Sequence, residues 1–161
     1  MTDTTGRGPG VVIPPPFYFV AGFLAGWLLD NRLGHLWPSI TGSFESPIDF
    51  MGGLMLGVGL GLAFWGIATF RRVRTPINPT RDASVLVIAG PYRITRNPMY
   101  TGLTIAYIGL ALMLRLGWSL VMLPVVLGLV YQFVIMREEA YLITAFGDQY
   151  RQYQQNVRRW L

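Results

Sequence analysis

Four apolar stretches, at residues 11–29, 48–70, 99–114 and 117–136, set the limits on what this chain can fold into. A helix crossing the hydrocarbon core of a bilayer needs about 20 apolar residues at about 1.5 Å each. The second and fourth stretches reach that length. The first is interrupted by Pro14-Pro15-Pro16, which reads as an entry turn and moves the dependable start to Phe17. The first and third are short, as suits tilted neighbours in thinned lipid or incomplete spans. Arg115-Leu116-Gly117 separates the last two stretches by a break that suits a tight turn between antiparallel helices, so residues 99–136 read as one helical hairpin. The expected fold is all-α: a polytopic membrane helical bundle of about four transmembrane helices, with that C-terminal hairpin and a cytoplasmic amphipathic C-terminal helix.

Composition excludes the main alternatives. Of 161 residues only 13% are charged, against roughly 25% in an average soluble domain, too few to coat a water-facing globule. An apolar share of 52% argues equally against disorder. The chain has no cysteine and a single histidine, His35, so no metal site is expected. We divide the sequence into a flexible N-terminal tail (1–16), two N-terminal transmembrane helices with their loops (17–84) and a C-terminal core (85–161).

All 13 basic residues are arginine and the formal charge is +5, which by itself raises nucleic acid as a partner. Their placement gives a simpler account. Arg71, Arg72, Arg74, Arg81, Arg93 and Arg96 lie between the second and third stretches, and Arg137, Arg151, Arg158 and Arg159 follow the fourth. By the positive-inside rule these segments are cytoplasmic, and four spans then place both termini inside. No nucleic-acid partner is expected. Gly53, Gly57 and Gly61, each four apart, and Gly22 with Gly26 offer close helix approach within the bundle or in a homodimer through the glycine-rich helices.

Three segments carry chemistry. In Gly90-Pro91-Tyr92-Arg93-Ile94-Thr95-Arg96-Asn97-Pro98-Met99-Tyr100, Gly-Pro is a turn, and Asn97 and Pro98 suit the cap and first position of a helix. Two arginines beside a helix N-terminus make an anion site, although on the residues alone contacts to lipid headgroups are the plainer reading. Arg137-Glu138-Glu139 places two acids at the hydrocarbon edge, costly unless paired or useful; one of them can meet Arg93 or Arg96, or both can form an interfacial cap. In the third, the helix is expected to break at Gly147 and restart at Asp148, with Tyr150, Tyr153 and Val157 on one face of an interfacial amphipathic helix or of a lid.

The ordered set resembles the C-terminal core of the isoprenylcysteine carboxyl methyltransferase and phospholipid methyltransferase superfamily. Gly90-Pro91-Tyr92-Arg93, Arg96-Asn97-Pro98-Met99-Tyr100-Thr101-Gly102, the apolar hairpin, Glu138-Glu139, and Phe146-Gly147 with Tyr150 and Tyr153 follow its order and spacing over residues 85–160. The resemblance implies an integral membrane methyltransferase using S-adenosylmethionine on a lipophilic acceptor drawn from the bilayer. It implies that Gly90, Tyr92, Arg96, Asn97, Pro98, Tyr100 and Glu139 line the cofactor site. It also implies that Arg93, Arg137, Glu138 and Glu139 stand in the catalytic region. Asn97 departs from the histidine of many members; it keeps hydrogen-bonding capacity but cannot exchange a proton near neutral pH. An NADPH-dependent membrane lipid or sterol reductase and a non-catalytic scaffold are the alternatives considered.

Overall fold

The computed structural model describes residues 10–36, 47–72 and 85–160; Arg74, Arg81 and most of the N-terminal tail lie outside them. Helix α1 (Pro15–Leu33) begins on prolines, which suit a first turn because their φ is already helical and they carry no N–H to be left without a partner, and it stops before Gly34 at φ 86°. Helix α2 (Pro47–Arg72) is the longest uninterrupted α-helix. A 3₁₀ turn, Gly90–Arg93, leads into α3 (Pro98–Met113). Helix α4 (Gly117–Val130), a π-helical turn (Tyr131–Ile135) and α5 (Met136–Asn156) follow one another as a 40-residue rod, Gly117–Asn156, that is kinked at Gly147 (φ 52°, ψ −125°), where the sequence predicts a break. Among the described residues there is no strand, only an isolated bridge between Thr95 and Arg158.

Two helices, α2 and the Gly117–Asn156 rod, are long and apolar enough to cross a membrane, while α3 is apolar but shorter at 16 residues. Helix length thus supports a membrane protein without fixing the number of crossings at four. The exterior agrees: Phe17, Leu24, Phe50, Phe64, Val125 and Phe133 all point outward and stay exposed, a surface suited to lipid and not to water.

Helix α2 packs along α3, and α1 along α4. The α2–α3 contact is backbone against backbone. A Cβ placed on Gly59 would stand 2.5 Å from the Gly102 carbonyl oxygen, and one on Gly102 would stand 2.6 Å from the Gly59 carbonyl oxygen. Gly52 and Gly109 face each other in the same way. The working stripe on α2 is therefore Gly52, Gly59 and Gly66, seven apart. The stripe four apart that the sequence suggested turns elsewhere: among the described residues a Cβ on Gly57 or Gly61 would meet nothing within 4 Å outside its own helix turn, and one on Gly53 would meet only the Met113 sulfur at 3.9 Å. Expectation and structure agree on α1, where Gly22 lies against Val126 and Gly26 against the Ser119 backbone.

Between the helix pairs lies a core of Val11, Phe19, Tyr100, Tyr107, Leu123, Val126, Val130, Val134 and Ile135. Tyr107 satisfies its hydroxyl there by donating to the Ser119 carbonyl at 2.7 Å. The far end of the bundle is closed by polar contacts. Buried Asp30 accepts the Trp118 amide at 3.2 Å, supplying a partner to one of the first-turn amides of α4 that has none within the helix, and Arg115 pairs with Asp49 at 3.0 Å. The hairpin turn falls where expected, but its left-handed residue is Arg115 at φ 57°, not the glycine. Gly117 is small for another reason: its Cβ would stand 2.9 Å from Leu36 Cβ.

Candidate active site

At the other end, the start of α3, the 3₁₀ turn and α5 converge. Gly90 adopts φ 58° and backs onto α2, where a Cβ would stand 2.9 Å from Thr69 Oγ1. That close seating drives Tyr92 inward to 5% exposure, its ring edge-on to Phe70 with centroids 5.2 Å apart. The Tyr153 hydroxyl donates to the Tyr92 carbonyl at 2.6 Å and ties α5 to this turn. The tyrosine face of α5 is therefore turned onto the protein, with Tyr150 buried and Tyr153 partly so, as the lid reading requires.

The acids reach the site because of the π turn. One extra residue per turn re-phases the rod after Ile135, the kind of interruption often found at functional sites. Both glutamates lie just past the apolar part of the rod. Glu139 is 8% exposed and receives Arg96 Nη1 at 3.1 Å on Oε1, together with Arg159 Nε at 2.8 Å on Oε1 and Arg159 Nη2 at 2.7 Å on Oε2. Glu138, half-buried, receives the Tyr100 hydroxyl at 2.7 Å. Burial pushes the Glu138 carboxyl up to about 7; the Tyr100 hydrogen bond lowers it and the neighbouring Glu139 charge raises it. Burial likewise raises the Tyr92 phenol, helped by the Glu138 charge, which places Tyr92 beside the acids. The Tyr92 hydroxyl and Arg96 Nε are buried with no hydrogen-bond partner among the described residues.

The structure sorts the expected residues. Tyr92, Arg96, Tyr100, Glu138 and Glu139 come together. Asn97 occupies the cap position of α3 but makes no side-chain cap bond; its amide donates instead to the Arg159 carbonyl at 3.0 Å. Pro98 opens α3, as its ring geometry favours. Gly90 serves the turn against α2. Arg93 does not share a face with Arg96, because the 3₁₀ turn ends at Arg93; it is exposed and lines an open cleft of ≈ 460 Å³ with Gln149, Gln152, Tyr153 and Asn156. Arg137 is exposed and donates to the Gly10 carbonyl at 2.8 Å, facing the N-terminal segment.

Arg159 is the site residue that sequence reading passed over, treating it as one of several interfacial arginines. The segment 157–160 folds back along the α3 entry, with the Arg158 carbonyl accepting the Arg96 amide at 2.9 Å and the Arg159 carbonyl accepting Thr95 Oγ1 at 3.1 Å. The guanidinium also lies 5.2 Å from the Tyr131 ring centroid. The hydrogen bonds it donates to the Glu139 carboxylate hold it firmly charged. The only hint in the sequence was an arginine pair with no acid nearby in the chain.

Residues 48–149 match the family described as phospholipid methyltransferase, well over half of the chain. A protein of Haemophilus influenzae described as uncharacterized is 51% identical over 61 residues, which cover 37% of this chain and 97% of that one. A protein-S-isoprenylcysteine O-methyltransferase of Schizosaccharomyces pombe is 37% identical over 73 residues, 45% of this chain but 31% of that protein's length. No solved structure matches the chain.

Proposed function

The chain belongs to the phospholipid methyltransferase family, and from that premise we propose that it is an integral membrane enzyme that takes a methyl group from S-adenosylmethionine and passes it to a lipophilic acceptor. The observation that carries the proposal is the convergence of Tyr92, Arg96, Tyr100, Glu138, Glu139 and Arg159 at one end of the bundle, with a buried Tyr92 hydroxyl and Arg96 Nε that find no hydrogen-bond partner among the described residues. Orphaned buried polar atoms are rare, and a polar ligand would satisfy them. The donor set suits a zwitterionic cofactor: carboxylates for its cationic groups and arginine for its carboxylate.

When bound, S-adenosylmethionine supplies a methyl group already activated on a sulfonium. What remains for the protein is alignment and electrostatics. In this reading Glu139, fixed by two arginines, is the stationary anion. Glu138, held only by a phenol and titrating near neutrality, takes the proton that an amine acceptor must lose; a carboxylate acceptor needs no base. An isoprenylcysteine carboxylate, a phospholipid amine and a small lipophilic acid or phenol are the candidate acceptors. We place four spans in the membrane with both termini on the cytoplasmic side, so that a water-soluble cofactor and a lipid acceptor reach the site from different phases. The outward Gly57 and Gly61 remain the face available to a second copy.

The test uses purified protein in detergent, labelled S-adenosylmethionine and a panel of lipid extracts. Methylated product is expected with the wild type, with turnover reduced at least about tenfold by Glu139→Gln, the scale of a lost charge-assisted hydrogen bond. Wild-type turnover in that variant would remove Glu139 from the site.

A further inference from the structure

The bonding of Glu139 sets a condition on entry of the methyl donor. Three guanidinium N–H groups fill its two oxygens, leaving little of a carboxylate's capacity of roughly four acceptor positions for a cationic ligand. The two arginines are not held alike. Arg96 sits at the entry to α3 with its side chain 12% exposed, and its backbone belongs to the turn that builds the site. The Arg159 side chain is 32% exposed and rides on a short extended segment beyond α5. That segment is held at this point by the Arg96 amide, Thr95 Oγ1 and the Asn97 amide, all bonded to its carbonyls. Arg159 also has a second resting partner, Tyr131, whose hydroxyl lies 3.4 Å from Nη1 and whose ring centroid lies 5.2 Å from the guanidinium carbon.

We propose that Arg159 sets the affinity for the methyl donor by standing in for its cation: the guanidinium must leave Glu139, loosening residues 157–160, before a cationic donor can pair with that carboxylate. This rests on the reading of the site as an S-adenosylmethionine site and adds to it a competing internal ligand. The apparent dissociation constant is then the intrinsic one divided by the fraction of molecules in which Arg159 has already left. Arg159→Lys keeps a cation near Glu139 but loses the planar fork that fills both oxygens.

Calorimetric titration of the full chain in detergent with S-adenosylmethionine tests the competition. If about one molecule in ten is open, Arg159→Gln binds roughly tenfold tighter than wild type, and Arg159→Lys falls between them. Unchanged or weaker binding by Arg159→Gln overturns the proposal. A second readout avoids changing Arg159. The chain has no cysteine, so Arg158→Cys carries a unique nitroxide on an exposed side chain of the same segment. S-adenosylmethionine should raise the label's mobility, and an unchanged spectrum at saturating donor would sink the idea even if Arg159→Gln fails to fold. Absence of any heat with the wild type would instead overturn the reading of the site beneath it, an outcome separable from failure of the competition alone.

Discussion

Replacing Gly59 by alanine should separate α2 from α3, whereas the same change at Gly57 should not. A Cβ at Gly59 would stand 2.5 Å from the Gly102 carbonyl oxygen and meet the Ala106 amide nitrogen as well, both backbone atoms that no rotamer change can clear. Overpacking of this kind costs about 1–3 kcal/mol, and rigid backbone neighbours place it near the upper end. Alanine returns about 1 kcal/mol through its better helix propensity, so Gly59→Ala should destabilise by about 2 kcal/mol. A Cβ on Gly57 would meet nothing within 4 Å among the described residues, so Gly57→Ala keeps only the propensity gain, up to about 1 kcal/mol. Two glycines two residues apart should therefore differ by about 3 kcal/mol, more than a hundredfold in the unfolding equilibrium. Titrating dodecyl sulfate into mixed micelles and following the helix signal gives both midpoints. Equal shifts, or a larger loss at Gly57, would mean that the stripe of Gly53, Gly57 and Gly61 is the packed one and the helix phase described above is wrong.

Other outcomes follow from the two polar ends. Because the folded-state value for Glu138 is raised from 4.5 to about 7, the folded protein binds more protons than the unfolded chain in that window. The contribution is fully present below 4.5 and lost as pH rises through about 7, so melting in detergent should fall over that range and Glu138→Gln should flatten the slope. Tyr153→Phe removes the donor to the Tyr92 carbonyl and should cost about 1 kcal/mol, with donor affinity weakened because the 3₁₀ turn loses its tie to α5. At the far end, Asp49→Asn breaks a mostly buried ion pair with Arg115 and should lower the melting temperature, a loss on the order of 3 kcal/mol, while calorimetry finds unaltered S-adenosylmethionine affinity in the molecules that remain folded.

Much of this architecture could be read before the structure, and the exceptions have physical causes. The hairpin, the Pro98 start of α3 and the turn at Gly147, where φ is 52°, are local matters of chain stiffness and were legible as such. The α2 packing face was not. Glycines four apart and glycines seven apart occur on the same helix, and only the partner's own glycines, Gly102 and Gly109, select between them. The motif residues Tyr92, Arg96, Tyr100, Glu138 and Glu139 were named together from their order along the chain. The pairing of Glu139 with Arg159 was not foreseen, because it depends on a π turn and on a chain reversal after Asn156, neither of which has a strong signature in the residues. Asn97 shows the same limit: its position was right, but its amide bonds a carbonyl that arrives from 62 residues away.

The π turn at Tyr131–Ile135 also makes the rod vulnerable in an unusual way. Winding these same five residues as ordinary α-helix, with none removed, would swing everything downstream by about 100° relative to the upstream half. The upstream half would still anchor in lipid, and the polypeptide would still insert. The two acids, however, would sweep past α3 and face the bilayer or the bulk phase, leaving a correctly housed protein whose chemistry had been rotated out of reach.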